Sequence, residues 1–135
     1  MNEKEITPCS NCSVRHKSIF KDLAKEDLDK LDSIKSCREY KKGEALFHEG
    51  SYPKGLFCVQ SGKIKITQCG VDGKEQIVHL IHDGNVMGHR AIFGNDTYSG
   101  SASALEDSRV CFLPKTPLYN IAANNSRLIL NIAHL

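Results

Sequence analysis

The chain has 135 residues, 40% of them hydrophobic and 25% charged, which suits one compact domain and is short for two. Its net charge of +2 is too small to argue for nucleic-acid binding by itself. No window approaches the roughly 18 apolar residues of a membrane span, and the polar start MNEKEITP has no signal-peptide core, so the reading is a cytoplasmic protein with no membrane partner.

Residues 1–13 are polar and aperiodic and are expected to form a flexible arm. They carry Cys9 and Cys12 at the C-x-x-C spacing that lets two thiolates reach one metal ion. The chain has six cysteines in all. In a reducing compartment these are expected to be core thiols, redox groups or metal ligands rather than structural disulfides.

Further on, "LAKEDLDKLDSI" places Leu28, Leu31 and Ile34 three apart, the apolar stripe of a short helix. Its cap is weak, with Ala24 where Ser or Asp would serve better. From Cys37 the period changes to alternation, and glycines divide the chain into short runs rich in β-branched and aromatic residues. "GLFCVQSGKIKITQC" predicts two strands around a Ser61-Gly62 turn, and "VDGKEQIVHLIH" an Asp72-Gly73 hairpin leading into another strand. "SASAL" and "SRVCFLP" predict two more. The expected fold is mainly β, a double-stranded β-helix (a jelly-roll or cupin-like β-roll) with short flanking N-terminal and C-terminal helices. Thr116-Pro117 predicts the cap and first turn of a helix through Ala122, broken by Asn124-Asn125. A second helix then carries Leu128, Ile129, Ile132 and Leu135, with no stop signal, and is expected to continue and to pair with another helix.

Among the candidate sites, Cys58 and Cys111 alternate with apolar neighbours as core thiols would, and Cys69 lies beside a turn. His79 shares a strand face with Ile77 and Ile81 and reads as a core histidine. There is no G-x-S-x-G, phosphate loop or H-E-x-x-H. A cupin-type metal enzyme would need clustered histidines, whereas His79 and His82 are three apart on a strand and point to opposite faces. The chain is not read as an enzyme.

"YKKGEALFHEGSYPKGLFCVQSGKIKI", "DGKEQIVHLIHDGNVMG" and "ALEDSRVCFLP", with glycines at 43, 50, 55, 62, 73, 84 and 88, closely resemble the sensor domain of Crp/Fnr-type bacterial transcription regulators. The resemblance implies a cyclic-nucleotide-binding-like β-roll over 14–125, and in 126–135 the start of a dimerisation helix carrying the apolar set of Leu128, Ile129, Ile132 and Leu135. It also implies a homodimer in the full-length protein, a small-molecule effector, and DNA contact only through a C-terminal helix-turn-helix that this chain lacks. In members that bind cyclic AMP, a Gly-Glu pair before a short helix and a downstream Arg-Ser or Arg-Thr pair hold the sugar and phosphate. The equivalent positions here are Gly88, His89, Tyr98 and Ser99, with Arg90 one residue beyond His89. Without that carboxylate and guanidinium, at roughly 1.5–3 kcal/mol for each charged hydrogen bond, cyclic AMP is disfavoured and the effector is left open. His89 and Arg90 then read as surface residues.

The oxygen-sensing Fnr branch, which holds an iron–sulfur cluster on four cysteines, offers the alternative of a redox or oxygen sensor. Cys9, Cys12 and Cys111 match three of its ligands. Ser18 stands where the other cysteine would be, which leaves His16 or Cys37 to complete a mixed set around a cluster or metal.

Overall fold

The alternation that starts at Cys37 produces eight short strands, and the computed structural model describes residue 21 and residues 23–133. The strands are β1 (Ser36–Tyr40), β2 (Ala45–Phe47), β3 (Gly55–Ser61), β4 (Ile64–Cys69), β5 (Glu75–Ile81), β6 (Val86–Met87), β7 (Ser101–Ala104) and β8 (Ser108–Pro114). Four helices flank or interrupt them: α1 (Lys25–Ile34), α2 (His89–Phe93), α3 (Lys115–Ala123) and α4 (Ser126–Ala133).

The strands form two antiparallel sheets, in the orders β1-β8-β3-β6 and β2-β7-β4-β5. This is the expected β-roll with flanking helices. One core lies between the sheets, where Phe57, Val59 and Val110 of the first sheet meet Ile64, Ala102 and Ala104 of the second. The other lies on the far side of the first sheet, where Leu56, Cys58 and Leu113 pack against Leu28, Leu31, Leu118 and Leu128 from the helices. The period-2 alternation of β3 and β8 supplies both cores from the same two strands.

Local chemistry explains the boundaries. The β3–β4 turn needs Gly62, whose φ is +105° and where a Cβ would collide with the Ser108 side chain. The predicted Asp72-Gly73 turn connects β4 to β5 as expected. In α1 the Ala24 side chain makes no cap, and the Ala24 carbonyl accepts from the amides of Asp27 and Leu28. Glu26 and Asp27 in its first turn suit the positive end of the helix dipole.

Three expectations are corrected. The helix expected at Thr116-Pro117 starts at Lys115 behind Pro114, because β8 runs into it without a loop. The Lys115 amide still donates to Lys54 O as the last rung of the ladder (2.9 Å). His79 is not a core histidine: it is exposed, and Ile77 on the same strand is 57% exposed. That follows from placing β5 at a sheet edge, where His79 lines an open cavity instead of a filled core. The apolar set assigned to a dimer seam also divides. Leu128 is fully buried and Ile132 packs on the helix-side core, while Ile129 is 47% exposed and Leu135 lies outside the described residues. The cause is Asn125, whose Oδ1 accepts from the Leu128 amide (3.0 Å) and starts α4 directly after α3, folding it back onto the domain.

Leu128→Ala is therefore expected to destabilise the fold by about 2–5 kcal/mol, and exposed Ile129→Ala by about 0.5 kcal/mol or less. Urea unfolding of the two variants checks this. Equal effects would contradict the assignment of Leu128 to the core.

Candidate effector-binding site

A cavity of about 460 Å³ opens at one end of the roll, between β2, β4, β5, the short helix α2 and the loop that follows it. Phe47, Ile66, Ile81 and Met87 make its walls apolar. Gly88, His89, Arg90, Tyr98 and Ser99, all singled out from the sequence, line it together. His89 and Arg90 are thus cavity residues rather than only surface ones, although Arg90 is exposed at its rim.

Gly88 shapes this end of the cavity. Its φ of +84° puts the residue before α2 in the left-handed region. A Cβ there would press on the Tyr98 ring, at 3.1 Å from Cε1. The loop carrying Tyr98 is pinned by two backbone bonds: Tyr98 N–H donates to Ser51 O, and Gly50 N–H donates to Tyr98 O, both at 2.9 Å. The buried Tyr98 ring stacks on Phe47, with centroids 3.9 Å apart and planes 13° from parallel. Burial pushes the Tyr98 phenol up to about 12, so at neutral pH it is an uncharged hydroxyl.

His89 follows at the start of α2. Its Nδ1 is buried and has no hydrogen-bond partner among the described residues. Burial, and secondarily the Arg90 charge, holds its imidazole below the usual 6.5. The site therefore presents a neutral imidazole from His89 and a neutral phenol from Tyr98, with the side chains of Arg90, Asp96 and His79 also along its lining. Ser99 contributes its carbonyl to Gln68 Nε2 (2.9 Å), which ties the far side of the loop to β4.

The cysteine expectations fare differently. Cys9, Cys12 and His16 lie outside the described residues. Cys111 is joined to Cys37 in a disulfide, so the expectation of no disulfides is corrected. The cause is register: Cys37 and Cys111 are directly opposite on β1 and β8. While so bonded, Cys111 and Cys37, both candidate ligands of the expected mixed set, offer no thiolate to a metal or cluster. Cys58 is buried, as read, and Cys69 is exposed.

Sequence reasoning missed Phe47, Met87 and Thr97 as lining residues. Phe47 sits on a three-residue strand, too short to show a period, and its stacking partner is 51 positions away in the chain.

The family model for the cyclic nucleotide-binding domain matches residues 37–125. The Fumarate and nitrate reduction regulatory protein of Yersinia pestis is 34% identical over 128 residues, and that of Escherichia coli (strain K12) 33% over 121. These alignments cover 94% and 89% of this chain but 51% and 48% of those proteins, so the chain spans about half the length of these relatives. The crystal structure of Thermus thermophilus Catabolite Activator Protein is similar at TM-score 0.77 and 26% identity, over 86% of this chain and 55% of that one. The sensor domain of the transcriptional regulator DNR from Pseudomonas aeruginosa is similar at TM-score 0.79 and 20% identity, over 90% and 82%, a likeness of fold alone.

The neutral, buried state of His89 has a consequence for stability. As pH falls through 6.5, the unfolded chain takes up a proton that the folded His89 resists. Stability is thus lost between that value and the lower folded one. His89→Gln should flatten this part of the melting-temperature profile relative to wild type. Parallel profiles would contradict the depressed imidazole.

Proposed function

The chain belongs to the cyclic nucleotide-binding domain family, and on that premise we propose that it is the effector-sensing part of a Crp/Fnr-type transcription regulator, without enzymatic activity of its own. The observation that carries this reading is the convergence of Gly88, His89, Tyr98 and Ser99 on one cavity of a size that encloses a small molecule. The names of the relatives, regulatory proteins from several bacteria, point the same way. No described helix is long and apolar enough to cross a membrane, which fits a regulator that works in the cytoplasm.

The effector is not a cyclic nucleotide. His89 and Tyr98 stand where a ribose carboxylate and a phosphate guanidinium would be needed, and both are neutral at pH 7. An anion buried against Tyr98 would exchange water for one phenol hydroxyl, which leaves most of its charge uncompensated. The apolar walls and neutral polar groups favour a small, largely apolar ligand with one or two hydrogen-bonding atoms.

The relay we propose passes through the helix-side core. Tyr119 of α3 donates its hydroxyl hydrogen to the carbonyl of Ile92 in α2, and its ring packs on Phe93 at 5.4 Å. Ile92, Leu118 and Leu128 share one core, so α2, α3 and α4 move against common neighbours. A ligand that repositions α2 would bias where α4 stands, and through residues 126–135 the pairing of two protomers. DNA contact then belongs to a part of the regulator outside this chain, held at a spacing the dimer sets.

The test restores the missing charges. In His89→Glu/Tyr98→Arg, two charged hydrogen bonds at about 1.5–3 kcal/mol each should tighten cyclic AMP binding by about 10²–10⁴-fold over wild type. Calorimetry on the folded double variant reads this directly. A folded variant with no gain would show that these positions do not form the cassette.

A further inference from the structure

The helix-facing side of the first sheet carries three cysteines on one rung. Cys37 of β1 is paired with Cys111 of β8, and Cys111 in turn with Cys58 of β3. All three are buried. Directly opposed residues of antiparallel strands project to the same face, so the three sulfurs follow one another across the sheet.

The backbone decides how close each pair is. Val59 N–H donates outward to Asn85 O (3.0 Å), which turns the backbone groups of Cys58 toward β8. Cys58 and Cys111 are then the hydrogen-bonded kind of pair, with Cα atoms about 5.5 Å apart. A residue of a middle strand bonds to one side only, so Cys37–Cys111 is the closer kind, and its Cα atoms are 4.0 Å apart. Disulfides usually span Cα separations of about 4.4–6.8 Å, so the Cys58–Cys111 pair is as reachable as the one that is bonded.

We propose that Cys37, Cys111 and Cys58 form a thiol–disulfide exchange site, in which Cys111 trades its bond between the strands on either side. Cys58 gives up its proton and its thiolate attacks Cys111 Sγ. The Cys58–Cys111 bond forms as the Cys37–Cys111 bond breaks, and Cys37 leaves as a thiolate that takes up a proton. One disulfide and one thiol stand on each side of the step, so no oxidant or reductant is consumed.

The surroundings suit this chemistry. Arg109, two residues before Cys111 on the same face, is buried, and its Nε donates to Gln60 Oε1 (3.0 Å). Gln60 Oε1 lies 3.8 Å from Cys111 Sγ. Arg109 thus brings a positive charge to the face that carries the rung, with Gln60 between it and Cys111, and a nearby positive charge favours the thiolate through which exchange must pass. The two isomers differ mechanically. In one, the edge strand β1, which follows α1 after a single residue, is tied covalently to β8; in the other, β8 is tied to β3 and β1 is held by backbone bonds alone. This site is separate from the cavity, and neither proposal depends on the other.

The test is a non-reducing tryptic map of the full chain, equilibrated in glutathione buffers of several ratios, quenched in acid and alkylated. Cys37, Cys58 and Cys111 fall on separate tryptic peptides. Wild type should yield both the Cys37–Cys111 and the Cys58–Cys111 cross-link. Cys37→Ser should yield only the second, Cys58→Ser only the first, and Cys111→Ser neither. Wild type that shows no Cys58–Cys111 cross-link at any glutathione ratio overturns the proposal, whether or not the variants fold. So does a folded Cys37→Ser protein in which Cys111 stays alkylated or pairs with Cys9, Cys12 or Cys69.

Discussion

The antiparallel pairing of β8 with β1 on one side and β3 on the other is the constraint from which the rest of the domain follows. β8 is one of the two inner strands of the sheet that both cores share. Val110 points into the space between the sheets, while Cys111 and Leu113 point toward the helices. A slip of one residue would exchange these faces and expose both cores at once. The same register opposes Cys37, Cys111 and Cys58, and it ends at Lys115, whose ladder bond to Lys54 hands the strand directly to α3. Cores, disulfide and helix layer are thus set by one strand's alignment.

The cavity depends on that frame without being part of it. Its floor comes from the sheets, but its chemistry comes from a short helix and a loop that carry little regular backbone pairing. Two backbone bonds between Tyr98 and residues 50–51 hold the loop, and Tyr98 fills the space that Gly88 leaves open. A roll of this kind can change its ligand by changing side chains at such positions while its sheets stay as they are. In the proposed reading, His89 and Tyr98 are changes of that sort, neutral groups at the places where the resemblance implies charged ones.

Much of this was legible in the sequence, for reasons that can be located. The β3–β4 and β4–β5 hairpins were readable because Gly62 and Gly73 need positive φ between alternating runs. The stripe of Leu28, Leu31 and Ile34 gave α1, and all three pack into the helix-side core. β1, β2, β6 and α2 were not individually readable, since none of them is long enough to show a clear period. His79 misled because alternation marks which residues share a face but not whether that face is filled; β5 is a sheet edge, and with Ile66 opposite His79 and Thr67 opposite Ile77 it carries one extra residue, Val78, which interrupts the alternation. Leu128 misled in the opposite sense, since an apolar helical stripe does not say whether its partner is another protomer or its own domain. The cysteine rung depends on pairing across 74 residues of sequence, a register that no local pattern encodes. The residues of the cassette were found by resemblance, and only their convergence on one cavity required the structure.

The central claim is that this roll keeps the cyclic-nucleotide fold while its cavity, neutral at His89 and Tyr98, rejects a cyclic nucleotide's phosphate and ribose. Titration calorimetry of the wild-type chain with cyclic AMP and cyclic GMP at neutral pH tests it most directly. No saturable heat in the micromolar range is the expected result. Micromolar binding that is lost in Arg90→Ala would contradict the claim, because it would show that the rim guanidinium does the work assigned to the missing cation.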